Sequence, residues 1–453
     1  MAKLQKEKIT SGKALVNGDL YTRLSAVIMG AGMIGHKQVV KGILVLLSEI
    51  AFVFYMIRSG IHNLAMLPSL GTAEQQKVWN EAKQIYEYTT GDNSQQILLF
   101  GVVTLFVIAA IVVLWILQMR HSYKLQKELE AGRSVPTFKA DVYGLFNNNM
   151  HITLMTLPCL GILMFNIVPL VYMISMAFTS YSKEDNHLTL FDWNGLTQFQ
   201  RVLNMNGNMG RQFWHVLAWT VVWAIFATFL NYILGMILAM VINRKDTKGK
   251  AFWRFCFVLT IAVPQFVTLM IMNIMLQPSG AVNVLLRQLG WIGASESLPF
   301  WTNVTWARIT IIVINLWVGI PYTMLQVTGI LQNIPAELYE AAKMDGANAV
   351  TIFFKITLPY MLFVTTPYLI TSFVGNINNF NVIYLLSGGG PTYVGDTAGQ
   401  TDLLVTWLYK LTIDQQYYNL GAVIGIITFV ILTIVTLVTY RNSASYKNEE
   451  AFM

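Results

Sequence analysis

Apolar runs of about 18 residues or more recur along this 453-residue chain, each long enough to cross a hydrocarbon core about 30 Å thick as a helix. Composition agrees: 12% charged residues is about half the roughly 25% of a soluble domain, and 55% of the chain is hydrophobic. A soluble single-core protein is excluded, and an all-α polytopic membrane protein is predicted. The formal net charge of +7 would suggest a nucleic-acid partner in a soluble chain. Here it points to basic residues held on one side of a membrane, with lipid and not nucleic acid as the surroundings. Cys159 and Cys256 both fall in apolar runs, so neither a disulfide framework nor a metal cluster is expected.

The runs place about eight spans, at Val39 to Ile57, Ile97 to Met119, Ile152 to Phe178, Phe213 to Ile242, Phe252 to Leu276, Val304 to Leu331, Ile356 to Leu386 and Leu420 to Tyr440. With the N-terminus inside, about 21 Lys and Arg fall on the cytoplasmic side and about 9 outside, which puts both termini in the cytoplasm. The strongest votes are Arg120, Lys124, Lys127, Arg133 and Lys139 in one loop, and Arg244, Lys245, Lys248, Lys250 and Arg254 in the next. The segment before the first span, with Lys3, Lys6, Lys8, Lys13, Arg23 and Lys37, is expected to be retained and cytoplasmic. Its apolar stretch around Leu24 to Gly35 is open to two readings, an interfacial or membrane-dipping element and a loose tail. The outer loops are expected to be short exposed connections.

Ionisable groups inside spans are costly and therefore informative. Glu49 is essentially alone, open to reading as a proton-coupling carboxylate of a secondary transporter or as a group bonded to a neighbouring helix beside Ser48. Arg308, at the outer start of the sixth span, can snorkel to the interface. In the seventh span Ser372, Asn376 and Asn379 are spaced to share one helical face, and in the sixth Asn315 and Tyr322 do the same. Such a stripe either lines a hydrated path, where amides match the mixed donors and acceptors of a sugar, or bonds one helix to another.

Between those spans lies a segment from Ile334 to Ala347, with Pro335 placed to open a helix and Gly346 to close it. Leu338, Ala341, Ala342 and Met344 make this helix too apolar for a simple solvated connection, and small Ala341 and Ala342 permit close approach by another surface. It reads as a cytoplasmic docking helix, the alternative being an internally packed loop.

Glu340-Ala341-Ala342, Asp345-Gly346-Ala347, Ile356 and Leu358-Pro359 resemble the EAA motif of binding-protein-dependent ABC importer permeases. The resemblance runs from about Phe213 to Tyr440 and includes Leu234-Gly235, Gly388-Gly389-Gly390-Pro391 and Leu420-Gly421-Ala422. Two additional N-terminal helices and the Ser372/Asn376/Asn379 stripe are similar to the larger permease subunit of maltose and maltodextrin importers. The resemblance implies a permease core over 213–440 with its coupling loop at 332–359, preceded by a basic segment (1–38), two accessory helices with a cytoplasmic loop (39–150) and a third helix with a short outer loop (151–212), and followed by a cytoplasmic tail (441–453).

It further implies that Glu340, Ala341, Ala342, Asp345, Gly346 and Ala347 contact an ATPase. Sugar contacts would fall at Ser372, Asn376, Asn379, Gly319 and Tyr322, with Asn315 beside them. On the fifth span, Ile261 and Gln265 stand where the maltose-type subunit carries a Tyr and a Ser, so Gln265 joins the candidate sugar contacts with a different chemistry. The loop from Thr179 to Gln212 is too short for the large extracytoplasmic domain of the enterobacterial maltose subunit. Expected partners are a second homologous permease, two copies of a cytosolic ATPase, an extracytoplasmic sugar-binding protein and an oligosaccharide. No cofactor is expected in this chain; ATP and Mg belong to the ATPase. Leu386-Ser387-Gly388-Gly389-Gly390 resembles an ATPase signature sequence, but the chain has no G-x-x-x-x-G-K-[ST] loop, so the chain itself is not expected to be an enzyme.

Overall fold

The computed structural model describes residues 9–88, 91–184, 188–244 and 246–442, divided into two compact units, one up to Gly195 and one from Leu196. Lys3, Lys6, Lys8, Lys245 and the tail from 443 onward lie outside the described residues. Among the described residues seven helices are long and apolar enough to cross a membrane, or eight spans if one bent pair counts as one.

In the first unit, α1 (Ser11–Asn17), α2 (Leu20–Leu24) and α3 (Ala31–Gly35) precede the long helices α4 (Val39–Met66) and α5 (Ser94–Glu130), a short α6 (Phe138–Phe146) and α7 (Met150–Met176). The N-terminal stretch is a packed element and not a loose tail. Thr10 and Asp19 cap α1 and α2 by accepting backbone N–H bonds from Lys13 and Thr22. Gln118 Nε2 of α5 donates to Ser25 O at 2.7 Å, and Trp115 Nε1 donates to Ala26 O at 3.0 Å. Gly30 has φ +88°, and a Cβ there would lie 2.1 Å from Gly42 O, so only glycine lets this turn seat on α4.

That packing accounts for Glu49. Its Oε2 accepts the Met29 backbone N–H at 2.8 Å, while Ser48 Oγ bonds back to Val45 O of its own helix. One connection expected to be a short exposed loop is more than that: β1 (Lys77–Asn80) and β2 (Ile85–Tyr88) pair antiparallel, with Trp79 opposite Tyr86 and their rings 4.8 Å apart. Cross-strand aromatic pairs of this kind stabilise a hairpin that the apolar-run reading passes over.

The second unit holds α8 (Thr197–Leu203), α9 (Asn208–Asn243), α10 (Lys250–Ala262), α11 (Gln265–Met275), α12 (Ala281–Gln288), α13 (Val304–Leu331), α14 (Ala336–Met344), α15 (Ala349–Ile377), α16 (Phe380–Leu386), α17 (Leu404–Tyr409) and α18 (Tyr418–Asn442). Helices α9 and α13 lie side by side in the same direction, since Asn231 meets Gly319 and Gly235 meets Thr323. A Cβ on Gly235 would fall 2.7 Å from Thr323 Cβ, so the pair depends on a small residue at the crossing. Two apolar clusters follow. Trp219, Trp223, Ile311 and Ile314 pack with Leu269 and Leu386 near the first ends of α9 and α13, and Met236, Ala239, Met324 and Val327 pack with Met361 further along.

Two expected continuous spans are broken. The fifth bends by 83° between α10 and α11, because Pro264 lacks an N–H and drives Val263 out of the helical region, to ψ 125°. The seventh ends at Ile377, and Asn379 begins a new helix by accepting the Val382 N–H at 3.3 Å. Within α15 a wider π turn over Phe353–Thr357 spans the Lys355 carbonyl, the group that Pro359 would otherwise strike.

Candidate functional site

The fifth-span bend opens a cavity of about 500 Å³ against α13. Gln265, as the first residue of α11, is carried to its wall by the Pro264 corner, with Thr268 one turn on. The opposite wall is Trp317, Gly319 and Tyr322 of α13. Both aromatic rings are about half exposed, at 53% for Trp317 and 52% for Tyr322. An amide, hydroxyls and open aromatic faces in a mainly apolar hollow make a site that orients a polar ligand through few contacts.

The other expected contacts are distributed differently. Among the described residues, none of Ser372, Asn376, Asn379 or Asn315 lines that cavity. Asn315 is buried, and the seven-residue spacing does not put it with Tyr322 on an open face. Asn376 and Asn379 are brought together, but across the end of α15 and not along one helix. Asn379 Nδ2 donates to Asn376 Oδ1 at 3.4 Å. Asn376 Nδ2 donates to Thr228 Oγ1 at 3.0 Å, and Trp223 Nε1 donates to the Asn376 carbonyl at 3.0 Å. Ser372 lies one turn earlier, half-buried.

Sequence reading passed over Thr228 and Asn231. They sit in and beside a π turn over Phe226–Leu230, and Asn231 meets Gly319, where a Cβ would fall 2.0 Å from Asn231 Nδ2. Two polar residues three apart in an apolar helix were a usable signal, of the same kind that singled out Asn376.

The segment from Ile334 to Ala347 folds as the expected short helix. Pro335 precedes α14, and Gly346 closes it at φ +76°. The Gly346 N–H reaches Lys343 O at 3.0 Å and the Ala347 N–H reaches Ala342 O at 2.9 Å, the paired bonds of a Schellman end. No residue of α14 is buried; Leu338 is 46% exposed and Met344 88%. Glu340, Ala341, Asp345 and Gly346 are exposed, and Ala342 and Ala347 half-buried. Tyr339 Oη and Thr357 Oγ1, 3.2 Å apart, hydrogen-bond and tie this helix to α15.

Residues 231–445 match the family model described as the binding-protein-dependent transport system inner membrane component. The galactooligosaccharides transport system permease protein GanP of Bacillus subtilis (strain 168) is 33% identical over 431 residues, covering 94% of this chain and 98% of that protein. The chain belongs to this permease family. The maltodextrin transport system permease protein MdxF of the same organism is 35% identical, covering 94% of this permease and 96% of the relative. The maltose/maltodextrin permease MalF of Escherichia coli (strain K12) is 37% identical over 254 residues, 54% of this permease and 48% of MalF. In solved structures, a bacterial ABC transporter involved in import of the acidic polysaccharide alginate has a chain of the same fold, at TM-score 0.52 and 22% identity, covering 66% of this permease and 97% of that chain. The permease is thus a multi-pass membrane protein, and its relatives are transporter subunits and not enzymes.

Proposed function

We propose that this permease is one of two membrane subunits of an ATP-driven importer for an oligosaccharide of the maltodextrin or galactooligosaccharide type. The observation that carries the reading is α14: a capped helix with exposed Leu338 and Met344, filled with the EAA residues and tied to α15 through Tyr339 and Thr357. Such a helix is suited to seat in a groove of a cytosolic ATPase through Glu340, Ala341, Ala342, Asp345, Gly346 and Ala347. Both termini are then cytoplasmic, as the distribution of Lys and Arg supports.

ATP, with Mg, is bound and hydrolysed by two ATPase copies; this chain supplies a lever and half of a path. Closure of the ATPases moves α14 and, through the Tyr339–Thr357 bond, the foot of α15. Access then shifts between the two faces of the membrane by differential affinity for two states. Sugar released by an extracytoplasmic binding protein passes Gln265, Gly319 and Tyr322 in the bend cavity and the Asn376/Asn379 pair at the end of α15. Contacts so few and so spread favour transit over retention.

The test is ATP hydrolysis by the complex of this chain with its partner permease, ATPase and binding protein in nanodiscs. Binding protein loaded with maltotriose or galactotriose should stimulate hydrolysis severalfold over the empty form. Hydrolysis indifferent to every loaded saccharide contradicts the reading.

A further inference from the structure

The element before α4 is built with its polar side inward. From Leu20 to Ile28 the chain runs in helical turns: the Arg23 N–H reaches Asp19 O at 2.9 Å, the Ser25 N–H reaches Tyr21 O at 3.1 Å and the Ile28 N–H reaches Leu24 O at 2.8 Å. Leu20, Leu24, Val27 and Ile28 therefore share one face, and Thr22, Ser25 and Met29 the opposite one. Thr22 and Ser25 are fully buried, whereas Leu20 is 70% exposed and Val27 78%. Leu24 and Ile28 are exposed as well. A surface helix in water packs the other way round, because burying apolar area is what drives its packing.

The inner face is bonded to the long helices and not merely covered by them. Thr22 Oγ1 donates to Gln126 Oε1 at 3.1 Å, and the Ser25 and Ala26 carbonyls accept Gln118 Nε2 and Trp115 Nε1. The Met29 N–H is taken by Glu49. These partners fix the depth. Trp115 and Gln118 stand at the end of the apolar run of α5, Ile97 to Leu117, about 30 Å long at 1.5 Å per residue, and Glu49 is about three turns into α4. The turn from Ser25 to Met29 therefore lies at the edge of the hydrocarbon, where irregular backbone persists only if protein groups satisfy it.

We infer that residues 20–28 lie in the acyl boundary of the leaflet that holds the start of α4, with Leu20, Leu24, Val27 and Ile28 turned to lipid. The remaining exposed side chains of this stretch are Tyr21 and Arg23, the residue types that favour a membrane interface. Arg23 folds back, its Nη2 donating to Val16 O at 2.7 Å, and exposed Lys37 stands just before α4. Two cations at the phosphate level match anionic headgroups and not a further apolar protein surface. The apolar face also continues onto α4, whose Val39, Val40, Ile43 and Leu44 are exposed in turn, because the Gly30 turn is seated directly on Gly42. Glu49, Trp115 and Gln118 are then positioning residues, which hold the element at this depth.

The test is electron paramagnetic resonance of spin labels at Leu20→Cys, Leu24→Cys and Val27→Cys, one at a time, with Cys159 and Cys256 replaced by Ser. The assembled complex is held in nanodiscs of phosphatidylethanolamine and phosphatidylglycerol, and collisions with lipid-soluble oxygen and a water-soluble nickel chelate are compared. Ile28, on the same face, replaces any position whose label prevents assembly. Oxygen is expected to exceed nickel, at a depth of about 5 to 10 Å below the headgroups, with the reverse order for a control label at Gln84→Cys on the exposed hairpin. Nickel collisions matching those at Gln84 place the face in water and overturn the inference. Exclusion of both reagents shows a protein chain seated on the face and overturns it equally. The importer reading stands under any of these results.

Discussion

The side-chain amide of Asn376 donates to Thr228 Oγ1 at 3.0 Å, joining the last turn of α15 to the π turn of α9. The same residue accepts Trp223 Nε1 on its carbonyl, so one position holds two helices in register. Interhelical bonds of this kind contribute about 0.6 to 2 kcal/mol each. Asn376→Leu should therefore lower the thermal stability of the purified complex by about that amount while abolishing most saccharide uptake. Thr228→Val should cost similar stability, with uptake largely kept if the cost is structural alone. Thermal unfolding and uptake measured on both variants and the double variant separate the two effects, since the stability terms couple only if the bond is real. Uptake retained in Asn376→Leu removes Asn376 from the sugar path.

Glu49 bonds a backbone amide, and a backbone amide does not need a charge to be satisfied. Glu49→Gln retains a carbonyl oxygen for the Met29 N–H and removes the titratable proton. Uptake by the complex should be unchanged within about twofold, and independent of an imposed proton gradient. Loss of uptake in Glu49→Gln with the N-terminal element still protected from proteolysis would reinstate a proton-coupling role.

Asp402 is fully buried and accepts Lys410 Nζ at 2.6 Å, Gly399 N at 2.7 Å and Thr406 Oγ1 at 2.9 Å. Burial pushes its carboxyl above the usual range even against the pull of Lys410 and those hydrogen bonds, and a buried ion pair is by itself weak evidence for stability. Breaking it is another matter. Asp402→Ala leaves Lys410 poorly solvated and should destabilise by about 3 kcal/mol, whereas Asp402→Asn with Lys410→Met keeps an acceptor for Gly399 and should cost about half as much. Chemical denaturation of the detergent-solubilised chain distinguishes them; equal losses contradict the pairing.

Much of this was legible in the sequence because single physical constraints governed it. The seven or eight spans among the described residues follow from the thickness of hydrocarbon, and the ends of α14 follow from Pro335 and Gly346, whose backbone preferences leave few alternatives. The breaks at Pro264 and Asn379 were less legible. Proline bends a membrane helix only as far as its neighbours re-satisfy the freed carbonyls, and an asparagine either lines a face or caps a new helix depending on contacts distant in sequence. The candidate site split for the same reason: the spacing of Asn315 and Tyr322 describes a face, but tertiary packing buries Asn315 and leaves Tyr322 about half exposed. Glu49 looked alone because its partner is a main-chain N–H, a group that no residue letter advertises.

Gly346 tests the central claim, that α14 transmits ATPase closure to the membrane helices. Its φ of +76° costs an L-residue about 1 to 2 kcal/mol locally, yet a Cβ there would meet nothing within 4 Å of this chain. Any larger effect must come from a partner. The measurement is ATP-driven maltotriose uptake into proteoliposomes holding this chain, its partner permease, the ATPase and the binding protein, comparing wild type, Gly346→Ala and Gly346→Trp. The account predicts full dependence on ATP and binding protein, partial loss in Gly346→Ala, and loss of at least about tenfold in Gly346→Trp with the permease pair still assembled. Unimpaired uptake in Gly346→Trp, or uptake by this chain alone without ATP, contradicts it.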